Sequence, residues 1–378
     1  MTELVLVSAA DETALAAEIG RIVAYLDRVG DAALADVAYT CALAHEPAVL
    51  AVVADSTAEL RARLVSARAR LASGGCGRLR DRSGTYYRRD HLLGEGAGRL
   101  AFVYPGVMSF YPDMLRDLVI SHPECRDAFD ELEEALAEEG GDFTPSSFIF
   151  PPAPYYRHDA DIFSSGAYAQ ALVATYAAGA ALTRLLRGYG LQPEGVVGFA
   201  GGDLAAMMRS GAAGAEMSRP DRVRVIREIY KVVQGAVEHL GLPRTSMLSV
   251  LTRHPGEADA AIAAMPRDKV CVAVDFSPRQ KTLAVTPDYE ETAIAALAAC
   301  GARTMKLGLD RPFNTPKCEP LVSKVKKFAC GWMKHDPICD IYSCATAERL
   351  PRSVRKSRND TAERWSKSVR FVETIRRM

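Results

Sequence analysis

One stretch of this 378-residue chain has the spacing of a covalent active site. It is Val196-Val197-Gly198-Phe199-Ala200-Gly201-Gly202-Asp203, an apolar run that breaks into a Gly-x-x-x-Gly turn and leads into the helix-forming segment 204–209. Strand, tight turn and helix make the layout of a nucleophile elbow, in which the middle residue of the turn lifts a hydroxyl clear of a parallel sheet. Such an oxygen attacks a carbonyl, and the backbone N–H of the next residue helps to hold the charge that develops. Here the middle residue is Ala200, and a methyl group cannot attack. The two outer glycines are expected on steric grounds, because a side chain at either would strike the neighbouring helix or strand. The stretch reads as a scaffold for a nucleophile that this chain lacks.

No other residue offers a replacement at motif spacing. Ser164, Ser165 and Ser210 lie near the turn in sequence but not on it, and serines in such small-residue helical surroundings mostly cap or pack. His158, His239 and His335 have no acidic partner at motif spacing. The cluster Gly94-Glu95-Gly96-Ala97-Gly98 is not followed by Gly-Lys-Ser/Thr, so it reads as a flexible entry to a strand and not as a phosphate loop. Nine cysteines occur with no Cys-x-x-Cys pair and no histidine cluster beside them. This pattern argues for reduced thiols in a cytosol and against a metal site.

Lys plus Arg and Asp plus Glu both number 47, so global charge points neither to nucleic acid nor to a membrane surface. The basic stretch from Arg349 to Met378 reads as a solvated terminal helix. No apolar run approaches the ~20 residues of a membrane span, and Met1-Thr2-Glu3-Leu4 has no export signal; a cytoplasmic protein is expected.

Apolar periodicity supplies the elements that must position the turn. Strands are predicted at 3–8 and 48–53 and helices at 12–27 and 57–71, a small α/β module over residues 1–75. Residues 76–98, rich in glycine and charge, read as a connecting segment. A strand at 99–105 opens a second unit, followed by a helix with an acidic face at 125–139, which reads as solvated. Next comes an irregular proline-rich excursion through Pro145, Pro151, Pro152 and Pro154, and then a buried alanine-rich helix at 168–189. The order βαββαβ over 247–309 marks a ferredoxin-like insert. The expected fold class is α/β: a doubly wound parallel-sheet, hydrolase-like core (99–240 and 310–378) with an inserted ferredoxin-like subdomain (241–309), preceded by the small linker domain.

From Arg99 to Met378 the chain resembles the malonyl-CoA:acyl carrier protein transacylase family, in particular the acyltransferase domains of iterative polyketide, enediyne and polyunsaturated fatty acid synthases. The resemblance rests on 100–106 (Leu-Ala-Phe-Val-Tyr-Pro-Gly), 111–115 (Tyr-Pro-Asp-Met-Leu), 146–152, 196–203, Phe313-x-Thr315-Pro316 with Glu319-Pro320, 341–346 (Ile-Tyr-Ser-Cys-Ala-Thr) and Val369-Arg370-Phe371. Residues 1–75, notably 35–40 (Ala-Asp-Val-Ala-Tyr-Thr), resemble the linker between ketosynthase and acyltransferase in those synthases. The family carries a further strand after Arg370-Phe371-Val372 that this sequence does not show, so one sheet position is expected to be open or filled by a partner.

The resemblance implies roles for individual positions, and most of them are substituted. The nucleophile position is Ala200 and the histidine before it is Phe199. The general base of the family's Phe-His-Ser/Thr-Pro block falls on Asn314, beside Phe313, and an amide has no proton affinity near neutral pH. The glutamine of the first loop, which helps to shape the oxyanion site, falls on Val107. The arginine that pairs with a malonyl carboxylate falls on Ile229, with Arg227 close by. Of the working parts, the backbone N–H of Gly201 persists. Cys318 and Cys344 are placed near the old cleft and read as buried and inert.

The expectation is an acyltransferase-like protein of polyketide or polyunsaturated fatty acid type biosynthesis. It is catalytically inactive, uses no cofactor or metal, and docks to a ketosynthase or an acyl carrier protein, with acyl-CoA as a further ligand and neither nucleic acid nor membrane as a partner. The alternatives are an active acyl-CoA or acyl carrier protein transferase, or a thioester hydrolase, with a nucleophile foreign to the family, and a decaying copy with no role.

Overall fold

A computed structural model describes residues 2–30, 32–73, 76–90, 92–93, 98–137, 144–151, 167–214 and 217–378. Ser164, Ser165, His158, Pro152, Pro154 and residues 94–97 of the glycine cluster lie outside the described residues. The chain divides into two units, Met1–Arg99 and Leu100–Met378.

The first unit runs β1 (Glu3–Ala9), α1 (Glu12–Val29), α2 (Leu34–Ala42), β2 (Ala48–Ala54), α3 (Thr57–Ala72), β3 (Arg78–Arg80) and β4 (Thr85–Arg88). Alternation in β1 and β2 turns Val5, Val7, Leu50 and Val52 onto one face. There they meet Leu15 and Ile19 of α1 and Leu60 and Leu64 of α3, each pair four residues apart on its helix. Asp11 and Ser56 cap the two longer helices by accepting from the backbone N–H of Ala14 and Glu59. The sheet is antiparallel in the order β1-β2-β4-β3. Part of the segment read as a connection, 76–98, is therefore sheet. Its hairpin is fixed by Asp81, whose carboxylate accepts from the N–H groups of Ser83 and Thr85, both at 3.0 Å, and by Gly84 at φ +94°.

The second unit is an α/β core interrupted by an insert. The core's first part is β5 (Ala101–Tyr104), α4 (Arg116–Ser121), α5 (Pro123–Leu136), α6 (Pro145–Ile149), α7 (Tyr168–Gly188), β6 (Gly195–Gly198), α8 (Asp203–Arg209) and α9 (Arg219–His239). Its second part is α12 (Glu319–Trp332), β11 (Asp340–Ser343), β12 (Glu348–Arg349), α13 (Val354–Glu363), β13 (Val369–Arg370) and α14 (Phe371–Arg377). The core sheet has the order β12-β11-β6-β5, with β5, β6 and β11 parallel and β12 antiparallel at one edge. Helix α7 is buried from Tyr168 to Gly179 at every position but Gln170, as an apolar run without a polar face requires. Among the described residues the proline-rich excursion includes a short helix, α6, with Pro145 in its first turn, where its missing N–H costs nothing.

The insert runs β7 (Ser246–Leu251), α10 (Pro255–Ala264), β8 (Val270–Ser277), β9 (Gln280–Val285), α11 (Glu290–Ala299) and β10 (Arg303–Lys306). Its strand order β10-β7-β9-β8 is ferredoxin-like. Strand β13 joins the same sheet, parallel to β8, with Val369 opposite Val274 and Arg370 opposite Asp275. The basic terminal stretch is thus two helices separated by a strand, not one helix, and that strand ties the end of the core to the insert.

The turn at Ala200 and what surrounds it

The backbone of a nucleophile elbow is intact. Strand β6 ends at Gly198, Phe199 donates to the Tyr104 carbonyl at 2.8 Å, Gly202 donates to the Phe199 carbonyl at 2.9 Å, and α8 starts at Asp203. Ala200 sits at the apex with φ +48°, in the left-handed region that side chains seldom adopt. Both outer glycines are sterically required. A Cβ on Gly198 would lie 2.3 Å from Asp203 Cα, and one on Gly202 would lie 2.3 Å from the Tyr104 carbonyl oxygen and 2.4 Å from that of Pro105. The first would strike the helix and the second the end of β5.

A buried polar network holds this turn from below. Asp203 forms an ion pair with Arg364 at 2.5 Å, Arg364 also meets Asp360 at 3.2 Å, and Ser343 donates to Asp360 at 2.5 Å. The Ser343 hydroxyl in turn accepts from the N–H of Ala345 at 3.1 Å. One guanidinium serves two carboxylates in a dry setting, and burial pushes the Asp360 carboxyl up to about 6. Asp203 and Ser343 lie in stretches the sequence marks, but their link through Asp360 and Arg364 is not visible there, because the bonds that tie α13 to β11 and to the turn join positions far apart in the chain.

Ala200 and Asn314 do come together. They line one cavity of about 10 Å³ with Cys344, Ala345, Arg364, Lys367, Ser368 and Val369, at or below what a single water needs. Asn314 is held by two bonds, its backbone N–H to the Trp365 carbonyl at 3.1 Å and its Nδ2 to the Arg364 carbonyl at 3.3 Å. The Cys344 thiol shares the cavity, but burial pushes it up to about 12, and among the described residues no imidazole lines the space. A thiol so raised stays protonated and unreactive.

Three aromatic rings cover the turn. Phe199 meets Phe276 of β8 edge-on at 5.3 Å and Phe371 of α14 edge-on at 5.1 Å, while Phe276 and Phe371 stack at 5.6 Å. The rings come from the core, the insert and the terminal helix, and they border the space between insert and core with apolar surface, Phe199 and Phe371 partly buried and Phe276 exposed. On the far side, Val107 and Gly201 are neighbours: a Cβ on Gly201 would lie 2.9 Å from Val107 Cγ2 and 3.7 Å from Val107 N. The N–H groups of both residues have no hydrogen-bond partner among the described residues. They are a pair of donors of the oxyanion-holding kind.

The other expected site residues lie elsewhere. Phe313 is 2% exposed and stacks on Tyr168 at 4.1 Å, inside the core. Ile229 is buried on α9 with Ile226 and Val233, on the face that packs into the core. Arg227 donates from Nε to the Ala135 carbonyl at 2.8 Å, at the end of α5. Ser210 bonds back to the Met207 carbonyl at 2.7 Å, a helix-end packing role. Cys318 donates to the Pro312 carbonyl at 3.2 Å, with burial pushing its thiol up to about 12. Among the described residues no group of three or more His, Cys, Asp or Glu could hold a metal, and no helix is long and apolar enough to cross a membrane.

Comparison with known proteins agrees with this architecture. A family model described as CurL-like, PKS C-terminal, matches residues 3–64. The chain is 26% identical over 376 residues to 5-methyl-1-naphthoate synthase of Streptomyces sahachiroi, covering 98% of this chain and 19% of that protein. It is 25% identical over 385 residues to an erythronolide synthase of Saccharopolyspora erythraea, covering 98% of this chain and 11% of that one. The chain therefore spans less than a fifth of the length of these curated relatives. Among solved structures, the acyltransferase domain from module 8 of the salinomycin polyketide synthase superposes with a TM-score of 0.70 at 20% identity, covering 99% of this chain and 82% of that one. The acyltransferase domain of an iterative polyketide synthase in enediyne biosynthesis gives 0.66 at 22%, with the same coverages. The chain has the α/β fold of these domains.

Proposed function

We propose that this chain, which resembles polyketide synthase acyltransferase domains in fold and along its length, is a catalytically inactive member of that group that acts by docking to synthase components, a ketosynthase or an acyl carrier protein. One observation carries the reading. At the apex where a hydroxyl would attack there is a methyl group, and the residue facing it across a cavity too small for an acyl chain is an amide that donates to a carbonyl. Among the described residues that line this cavity there is neither an activated nucleophile nor a base, and a malonyl thioester would have to desolvate its charge against Phe199, Phe276 and Phe371. The parts that require the backbone alone, the two steric glycines and the linker-like first unit, are kept.

A second reading, a transferase or thioester hydrolase with a nucleophile foreign to the family, draws on the free N–H pair of Val107 and Gly201. One experiment separates them. The purified chain is incubated with malonyl-, methylmalonyl- and acetyl-CoA, then followed by intact mass and by release of free thiol, with binding to a ketosynthase and an acyl carrier protein measured in parallel. No mass gain, no thiol release and saturable binding to either protein is the expected result. Acyl addition or sustained thiol release establishes the second reading, and failure to bind either protein overturns docking.

A further inference from the structure

The second unit contains a larger pocket, about 350 Å³, lined by residues of β5, α7, α8 and α9 and sharing no residue with the cavity at Ala200. Four arginines line it, Arg184, Arg187, Arg209 and Arg222. One buried carboxylate, Glu131, takes two of them, Arg184 and Arg222, each at 2.6 Å. Arg187, at the exposed end of α7, has neither ion pair nor side-chain hydrogen bond among the described residues. Arg209 is half-buried. Its one bond runs from Nη2 to the neutral Gln192 amide oxygen at 2.6 Å, and its Nε is buried without a partner. Burial, and then repulsion from Arg187, lower the affinity of Arg209 for its own proton. Of the hydroxyls nearby, those of Thr183 and Tyr104 are committed, since Thr183 donates to the Gly179 carbonyl and so accepts from Tyr104, while that of Tyr176 has no hydrogen bond among the described residues. The lining cations without an ion pair among the described residues are the two arginines, Arg187 and Arg209.

A half-buried cation beside a second cation, with no carboxylate among the described residues paired to either, is costly unless an anion enters. Two guanidiniums match a dianion better than a carboxylate, which would leave one positive charge over, and their planar forks suit phosphate oxygens. Ala180, Ala205 and Met208 supply an apolar wall, and the volume lies at the lower end of small-ligand pockets. We propose that this pocket binds a small organic phosphate, its phosphate between Arg187 and Arg209 and its organic part against that wall. The site is independent of whether the turn at Ala200 is active.

The test is calorimetric titration of the whole chain with pyrophosphate and with phenyl phosphate, at ionic strength held constant with sodium chloride. Saturable binding of either probe is expected, weakened at least about tenfold in both Arg187→Gln and Arg209→Gln and unchanged in Arg253→Gln on the insert. Arg187 is exposed, so Arg187→Gln keeps the test valid should Arg209→Gln fail to fold. Absence of saturable binding by both probes, or binding that survives Arg187→Gln unchanged, overturns the proposal.

Discussion

Substituting the glycines of the turn tests whether its geometry is forced by packing. In Gly202→Ala the new Cβ must sit 2.3 Å from one carbonyl oxygen of the 104–105 segment and 2.4 Å from the next, where ordinary contact begins near 3.4 Å. Both obstacles are backbone, so no side chain can rotate away, and relief requires β5 and the turn to separate. Overpacking of this kind costs about 1–3 kcal/mol and more where backbone must move; roughly 3 kcal/mol is expected. Ala200→Gly is the contrasting change. It releases about 1–2 kcal/mol of left-handed strain, offset by about 0.4–1 kcal/mol of added freedom in the unfolded chain and by loss of a half-buried methyl, less than about 0.8 kcal/mol. The net effect is within about 1 kcal/mol of zero. Urea unfolding followed by tryptophan fluorescence measures both, because the chain's two tryptophans, Trp332 and Trp365, lie in the second unit and report on it alone. A Gly202→Ala variant within about 1 kcal/mol of the parent, or an Ala200→Gly variant losing more than about 2, would show that the turn is not held in the way argued.

Three further outcomes are expected. Ala200→Ser alone gains no acyl adduct from malonyl-CoA by intact mass, since a hydroxyl without a base is a poor nucleophile and the cavity still excludes substrate; an adduct on that serine would mean the cleft opens readily. Iodoacetamide leaves Cys344 unmodified in the native protein, and Phe371→Ala speeds its alkylation, read by peptide mapping, because that ring helps to cover the turn; equal rates would remove the aromatic cover from the account. Asp360 is protonated more readily folded, near 6, than its ordinary 3.8, so its contribution to stability is full below pH 3.8 and fades as pH rises through 6, by about 3 kcal/mol at most. Asp360→Asn should flatten that slope between about pH 4 and 6.5, and a slope unchanged by the substitution would assign it to other groups.

The turn was legible because its signal is local: three glycines at fixed offsets between an apolar run and a helix leave few alternatives, and the same holds for the helical periodicity of α1, α3 and α7. The β3–β4 hairpin had a signal too, Asp81-Arg82-Ser83-Gly84, but its strands are short and arginine-rich, so composition masked it. Strand β13 could not be read in advance, since its two residues acquire strand identity from β8, far earlier in the chain. The same distance hid the Asp203–Arg364–Asp360 network and the meeting of Phe199, Phe276 and Phe371. Ile229 and Phe313 show the converse limit, for a position matched by alignment keeps its place in the chain while its side chain joins the core.

The distribution of what is kept and what is lost bears on why the turn survives without its oxygen. Gly198 and Gly202 are tied to α8 and β5 by close approaches that a side chain at either would break, so the fold itself maintains them whether or not chemistry occurs there. Phe199 is under no such constraint, for it sits where a ring can grow against the insert, whereas Asn314 is itself left-handed, at φ +60°, a conformation that asparagine tolerates well, and its side chain need only satisfy the Arg364 carbonyl. An intact elbow is therefore a statement about packing, and activity has to be read from the side chains that packing leaves free. In this chain those side chains surround the turn with apolar surface, while two cations without an ion pair among the described residues, Arg187 and Arg209, line a different pocket.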